Sequence, residues 1–413
     1  MSSSKNRFGL WTLSLLVVAN MVGAGVFTTS GFTLAALGTP ERVIAAWAVG
    51  GVIAICGAIA YGQLVRAMPE SGGEYLFLSR AAHPLLGFVG GWVSLIAGFT
   101  GAIAFAATAF ENYLVLPSWL PTDSVAIALV VAAGLLHGFG PRCGALLQNV
   151  AVVLKLSLLT VFVGLAVRTD FQGTPMESAG PFNLSAFAQQ LVWISLSYSG
   201  FNAAVYVAGE SVRRQIPKAL LLGTAATTAL YLALNTVFVY GPPAASVAGQ
   251  ADVAAIAAES VGGTGLATFV RIIIAVALAT SVSSLLMAGP RVATKMAEDG
   301  FLPRALKLKS GRPGYAVGAL VIASVVIILV SELESLLGYL GVTLSVCAAM
   351  TVGCLFLPKL RGTPSSMIAP GLFVAATLTS ATLLIYREPE QGFAVLLTFA
   401  VGAVAYWLTR TRR

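Results

Sequence analysis

The sequence predicts an all-α polytopic membrane protein of about twelve transmembrane helices, the first and sixth broken near their middles. Three observations predict it. Hydrophobic residues make up 57% of the 413-residue chain and charged residues only 10%, whereas soluble domains carry about 25% charged residues. Apolar runs of about 20 residues recur along the whole length, enough for a helix to cross a bilayer with its backbone hydrogen bonds satisfied internally. Lysine and arginine also sort by side. With the N-terminus cytoplasmic, nineteen of the 24 fall at the cytoplasmic side and four, Arg42, Arg168, Arg271 and Arg387, fall outside. Lys155 lies within a span. This asymmetry puts both termini inside and makes the number of spans even. The net charge of +8 follows from the sorting and needs no nucleic acid. No cleavable signal peptide is expected, because the apolar run after Lys5 and Arg7 lacks a cleavage site.

The first span covers about residues 8–37 and contains Asn20-Met21-Val22-Gly23-Ala24-Gly25-Val26-Phe27. The second, 41–66, ends at Arg66; a polar stretch, 68–75, and Arg80 follow. The third runs 84–112 and the fourth 124–140, with a turn at Pro141-Arg142 before the fifth, 144–168. The sixth, 186–212, carries Ser197-Tyr198-Ser199-Gly200-Phe201-Asn202. After the seventh, 217–240, residues 241–262 form an Ala/Gly/Pro-rich connection with room for a short surface helix. The eighth, 264–297, leads into a basic loop with Arg304, Lys307, Lys309 and Arg312. The last four are 314–331, 334–357, 367–386 and 391–409.

Two glycines two residues apart inside an apolar helix are costly, since each weakens a helix by about 1 kcal/mol relative to alanine. A break there frees amides from the half-helix that follows and carbonyls from the half that precedes. Those groups hold a carboxylate and an ammonium. The alternative is a small-residue surface for close helix packing. The second break, five spans later, favours the first reading. Inverted halves that each open on a broken helix point to a secondary transporter with a site near the midplane. Residues 8–168 and 186–357 are then the two halves of a single transmembrane domain, and 367–409 holds two peripheral helices. The sequence shows no ATP-binding P-loop, so transport would draw on gradients or exchange. Cys56, Cys143, Cys347 and Cys354 sit in or beside apolar segments at spacings that suit no metal, and are read as core residues. His83 and His137 are read as structural, and the tryptophans mostly as interfacial belts. No cofactor, metal or enzyme activity is expected.

The motifs resemble those of the amino acid–polyamine–organocation (APC) superfamily, in its LAT/APA-like branch. Gly23-Ala-Gly-Val-Phe27 is similar to the family's first-helix glycine motif, and Pro69-Glu-Ser-Gly-Gly-Glu-Tyr75 with Gly87-Phe-Val-Gly-Gly-Trp92 to its second loop. Ser199-Gly-Phe-Asn202, Glu210 and Ile216-Pro217-Lys218-Ala219 resemble its sixth helix and the loop after it. Gly289-Pro-Arg291 with Ala297-Glu-Asp-Gly-Phe-Leu-Pro303 resembles its eighth-helix ending. Their order covers most of the first ten spans. The resemblance implies the leucine-transporter fold, a 5+5 inverted repeat with helices 1 and 6 unwound.

By the same resemblance, the amides of Ala24, Gly25 and Val26 meet a substrate carboxylate. Carbonyls near Asn20, Met21 and Val22 and near Ser197, Tyr198 and Ser199 meet its ammonium, with Gly23 and Gly200 at the breaks. Tyr198 or Phe201 would cap the substrate, or else be plain core. Asn202 is uncharged where relatives can carry a carboxylate, which favours small or medium neutral amino acids over cationic ones. Lys155 at a span centre costs roughly 3 kcal/mol on insertion scales and is read as functional. The resemblance makes it a substitute for a sodium ion, touching first-helix carbonyls and Ser283 or Ser284. Snorkelling is the alternative, but Lys155 stands about 20 Å of helix beyond Arg142. Glu210 with Arg66, Arg80 or Arg291 suggests a cytoplasmic gate, or else a solvated loop charge.

The expected activity is sodium-independent transport of neutral L-amino acids across the plasma (inner) membrane by alternating access, proton-coupled or exchanging. The expected ligands are an amino acid and, as candidate co-substrate, a proton. An amine, polyamine or cationic amino acid carrier would need acidic residues at the site. A receptor would carry an appended soluble domain, and a channel a polar lining through several spans. Some eukaryotic relatives are joined to an ancillary glycoprotein by a cysteine between the third and fourth helices. Residues 112–123 hold no cysteine here, so no such subunit is expected.

Overall fold

The computed structural model describes residues 8–69, 72–139, 142–166, 180–302, 306 and 314–410. Helix α1, Leu10–Met21, ends at the first break, and α2, Gly25–Leu37, resumes after it at an angle of 47°. Helix α3, Pro40–Ala67, begins with proline in its first turn, and the Thr39 hydroxyl accepts from Arg42 N at 3.3 Å, a start signal in both respects. The third span is α5, Pro84–Val93, a π-helical stretch Ser94–Gly101 and α6, Ala102–Asn112. Then come α7, Ser124–Phe139, and α8, Arg142–Ala166.

Helix α9, Leu184–Tyr198, comes next and stops at the second break; a 3-10 segment, Ala203–Glu210, follows. Next are α10, Ile216–Tyr240, the short α11, Ala244–Val247, and α12, Val253–Glu298. Helices α13, Gly314–Val330, α14, Leu333–Gly353, α15, Ile368–Arg387, and α16, Pro389–Arg410, complete the fold. Among the described residues, eight helical runs are long and apolar enough to cross a membrane, and α1 with α2 makes a bent ninth. Three shorter apolar helices, Ser124–Gly138, Val153–Ala166 and Gly314–Val330, fill the remaining places in the twelve-span reading.

Helix α3 lies against α9, α10 and α15, and α12 against α6, α7 and α8. Small residues let the central helices approach. A Cβ at Gly51 would lie 2.4 Å from Thr228 Cγ2 on α10, and one at Gly57 2.7 Å from Phe373 Cε2 on α15. This is how packing proceeds where lipid removes the hydrophobic drive between helices. The entry to α1 pairs with the exit of the 3-10 segment: Val212 N donates to Phe8 O at 3.2 Å.

Three details depart from the sequence reading. The polar stretch after α3 turns into a helix, α4, Gly73–Ala81, with Gly73 at φ 58°, a conformation glycine adopts freely. Helix α12 begins at Val253 rather than 264, because a kink at Gly262 and Gly263 (φ 72°) separates a short leading arm from the span. Trp47 and Trp193 are buried core residues, whereas Trp11, Trp119 and Trp407 are exposed. Cys56, Cys347 and Cys354 are free and buried. Arg168, Arg304, Lys307, Lys309 and Arg312 and the Cys143 side chain lie outside the described residues.

Candidate substrate site

The two breaks meet each other. Gly25 opens α2 against α9: a Cβ there would lie 2.4 Å from Ser197 Oγ and 2.9 Å from Ser197 Cα. Gly200, at φ 101°, faces back; its Cβ would lie 2.8 Å from Asn20 O. Both glycines are needed for close approach, and Gly200 also for its backbone conformation. Thr29 Oγ1 and Ser197 Oγ, 3.4 Å apart, add a side-chain contact.

On the amide side, the first intrahelical bond of α2 runs from Phe27 N to Ala24 O at 3.0 Å. The amides of Ala24, Gly25 and Val26 precede it, at the positive end of the helix, where anions bind. On the carbonyl side, Lys155 Nζ donates to Val22 O. Lys155 is 5% exposed. Tyr231 on α10 stands between the breaks, its hydroxyl 2.6 Å from Met21 O and 2.9 Å from Ser197 O. Three of the carbonyls read as ammonium acceptors therefore already accept from protein donors. Of the two serines expected near Lys155, Ser283 Oγ lies 2.7 Å from His137 Nε2, and Ser284 Oγ donates to Thr280 O at 2.8 Å, which leaves its lone pairs able to accept.

Tyr198 packs between Trp47 and Tyr231, with ring centroids 5.9 and 5.1 Å away, and its hydroxyl donates to Trp47 O at 3.1 Å. Phe201 packs edge-on against Tyr61 and Phe373. Both rings turn into the helix bundle. Asn202 donates through Nδ2 to Glu74 Oε1 at 2.5 Å. In the sequence Glu74 belongs to the polar stretch after the second span; the turn at Gly73 opens α4 and carries its side chain inward to 7% exposure.

Access differs on the two sides. Asn20 is exposed and Ser199, Gly200 and Asn202 are half-buried, whereas Ala24 to Ser30 are buried. On the α2 side the connection between α10 and α12 covers the site. Gly249 N donates to Gly31 O at 2.9 Å, and Arg271 pairs with Asp252 at 2.5 Å. Tyr113 OH donates to Phe27 O at 2.7 Å. The Glu210 and Arg291 side chains lie outside the described residues, and Arg66 and Arg80 are exposed at the ends of α3 and α4.

Sequence reasoning passed over Tyr231. A signal was present: Thr224, Thr227, Tyr231 and Asn235 recur at helical spacing in an apolar span, and all four are fully buried.

A polytopic helical membrane protein with two broken helices that meet, and a buried ammonium on the first of them, has the form of a secondary transporter. The amino acid permease family model matches residues 8–405, and the chain belongs to that family, within the APC superfamily. It is similar to the human Asc-type amino acid transporter 1, 25% identical over 378 residues, 86% of this chain and 72% of that one. The rabbit large neutral amino acids transporter small subunit 2 is 24% identical over 358 residues, 82% of this chain and 66% of its own. The mouse b(0,+)-type amino acid transporter 1 is 26% identical over 257 residues, 57% and 52% of the two chains. The chain is an amino acid transporter, not an enzyme, with the leucine-transporter fold.

Proposed function

We propose that this protein moves neutral L-amino acids across the plasma (inner) membrane by alternating access, without sodium, by exchange or with protons. The observation that carries the reading is the hydrogen bond from the Lys155 ammonium to Val22 O. A fixed cation on the first broken helix takes the place a coupling sodium ion would need. The amides opening α2 receive the carboxylate, and the remaining carbonyls named for it, at Asn20, Tyr198 and Ser199, receive the ammonium. An ionised group in a low-dielectric site is costly unless hydrogen-bonded, and these backbone groups supply the bonds. Glu74, the carboxylate reached through Asn202, also accepts from Tyr61 and Tyr206. These three bonds take most of its roughly four acceptor sites, and Asn202 stands between it and the unwound segment. The name of one relative, large neutral amino acids transporter small subunit 2, supports neutral substrates.

The halves 8–168 and 186–357 act as inverted repeats, with 367–409 peripheral and both termini cytoplasmic. In that orientation the open α1 side faces the cytoplasm and the covered α2 side faces out. Glu210 with Arg66, Arg80 and Arg291 closes the cytoplasmic side, and the protein works without a disulfide-linked subunit. Uptake of labelled amino acid into proteoliposomes, competed by all twenty amino acids with and without sodium at several pH values, tests the reading. Competition led by small and medium neutral amino acids, unchanged by sodium, is expected. Competition led by arginine or polyamines refutes it.

A further inference from the structure

We propose that Glu74 is a positioning residue for the site: it fixes the orientation of the Asn202 amide and fastens the 3-10 segment that follows it. The proposal deepens the transport reading above and rests on it for its kinetic arm.

The sequence sets up the contact. Gly73, at φ 58°, lies directly before Glu74, and a Cβ at Gly73 would sit 2.3 Å from Tyr206 Cε1. A glycine is what lets the Tyr206 ring lie on the turn. Glu74 then falls in the first turn of α4, where a helix favours a carboxylate. Its oxygens are shared among three elements. Tyr61 OH on α3 donates to Oε1 at 2.8 Å, Asn202 Nδ2 donates to Oε1 at 2.5 Å, and Tyr206 OH donates to Oε2 at 2.5 Å.

Chemistry gives this cluster a direction. A buried carboxylate only accepts, and bonds to an ionised acceptor are about twice as strong as neutral ones. Glu74 therefore draws in Nδ2 of Asn202 and leaves Oδ1, the acceptor end, for the unwound segment. That end adds one side-chain acceptor for a substrate ammonium beside the backbone carbonyls. The same carboxylate holds Tyr206, so the 3-10 segment is tied to α4 at two points. Helix α4 packs on α5 and α14, while the 3-10 segment packs on α1 and α10. The tie thus joins two groups of helices across the site. Residue 202 itself is uncharged, and the family motif around residues 69–75 does not by itself say what its acid holds.

The test uses the full chain in lipid nanodiscs and proteoliposomes. Glu74→Ala is expected to raise KM for a neutral amino acid at least tenfold, with Glu74→Gln intermediate and kcat within threefold for both. Tyr206→Phe loses one tie but leaves Asn202 bound, so KM stays within threefold. Hydrogen–deuterium exchange over residues 203–208 is expected to quicken at least tenfold in Glu74→Ala and measurably in Tyr206→Phe, with α3 unchanged. KM within twofold of wild type in both Glu74 variants, or a fall in kcat alone, overturns the orientation. Unchanged exchange over 203–208 overturns the fastening. Failure of the wild type to carry any amino acid sinks the transport reading instead, and the exchange data still decide the tie.

Discussion

Replacing Gly25 with alanine drives a methyl group into the contact between the two broken helices. The added Cβ would lie 2.4 Å from Ser197 Oγ, 2.9 Å from Ser197 Cα and 3.0 Å from Ser197 Cβ. The hydroxyl can rotate away, but the Cα cannot. Carbon atoms pack best at about 3.5–4.0 Å, so α2 and α9 must separate by roughly 0.6 Å or more. Overpacking of this kind costs about 1–3 kcal/mol. If that strain falls on the substrate-bound geometry, uptake drops roughly 5- to 150-fold, since about 1.4 kcal/mol is a factor of ten. The assay is initial-rate uptake into proteoliposomes at matched protein density, with monodispersity in detergent as the folding check. Gly164→Ala is the control, because no atom lies within 4 Å of the added Cβ; it should transport as wild type does. A Gly25→Ala protein that transports within twofold of wild type refutes the reasoning.

Lys155→Ala should keep folding and surface expression while lowering uptake roughly 10- to 150-fold, the worth of one charge-assisted hydrogen bond of about 1.5–3 kcal/mol. Lys155→Arg should not restore it, because the larger fork does not fit so buried a site; uptake near wild type in either variant counts against the role. Tyr231→Phe strips the donor shared by Met21 O and Ser197 O. It should cost about 1–3 kcal/mol of stability in detergent, read from chemical unfolding, and slow uptake. Glu388, between α15 and α16, has its carboxyl held above the usual range by burial and by Glu334 and Glu390. Its native state binds the proton more readily than the unfolded state does, so stability falls as pH rises from the unfolded to the native pKa. Glu388→Gln should therefore melt higher than wild type at neutral pH and equally at pH well below 4; the reverse order would contradict the assignment.

The helices were legible because a bilayer leaves few ways to arrange an apolar chain. Glycines inside apolar spans marked both breaks, a pair at Gly23 and Gly25 and a single one at Gly200, because the cost of glycine needs a reason. A lone lysine in an apolar span marked Lys155. Other features depend on tertiary approach, which a linear pattern does not encode. Glu74 reads as an ordinary loop acid until the turn at Gly73 brings it to Asn202. Ser283 reads as a hydroxyl near the ion position, yet His137 is its neighbour. Tyr198 and Phe201 flank the break in sequence but point into the bundle, because Trp47, Tyr61 and Phe373 provide aromatic surfaces there. The expectation that the tryptophans mostly form interfacial belts does not hold for Trp47, whose indole N–H donates to Ser30 Oγ at 2.9 Å in the core.

The most direct measurement compares binding of a neutral L-amino acid with two relatives of it, the decarboxylated amine and the N-acetylated acid, by calorimetry on the purified protein. If backbone amides at the start of α2 hold the carboxylate and backbone carbonyls hold the ammonium, each deletion weakens binding at least 30-fold. Affinity within threefold of the parent amino acid for either compound would show that the unwound segments do not carry the substrate's charges.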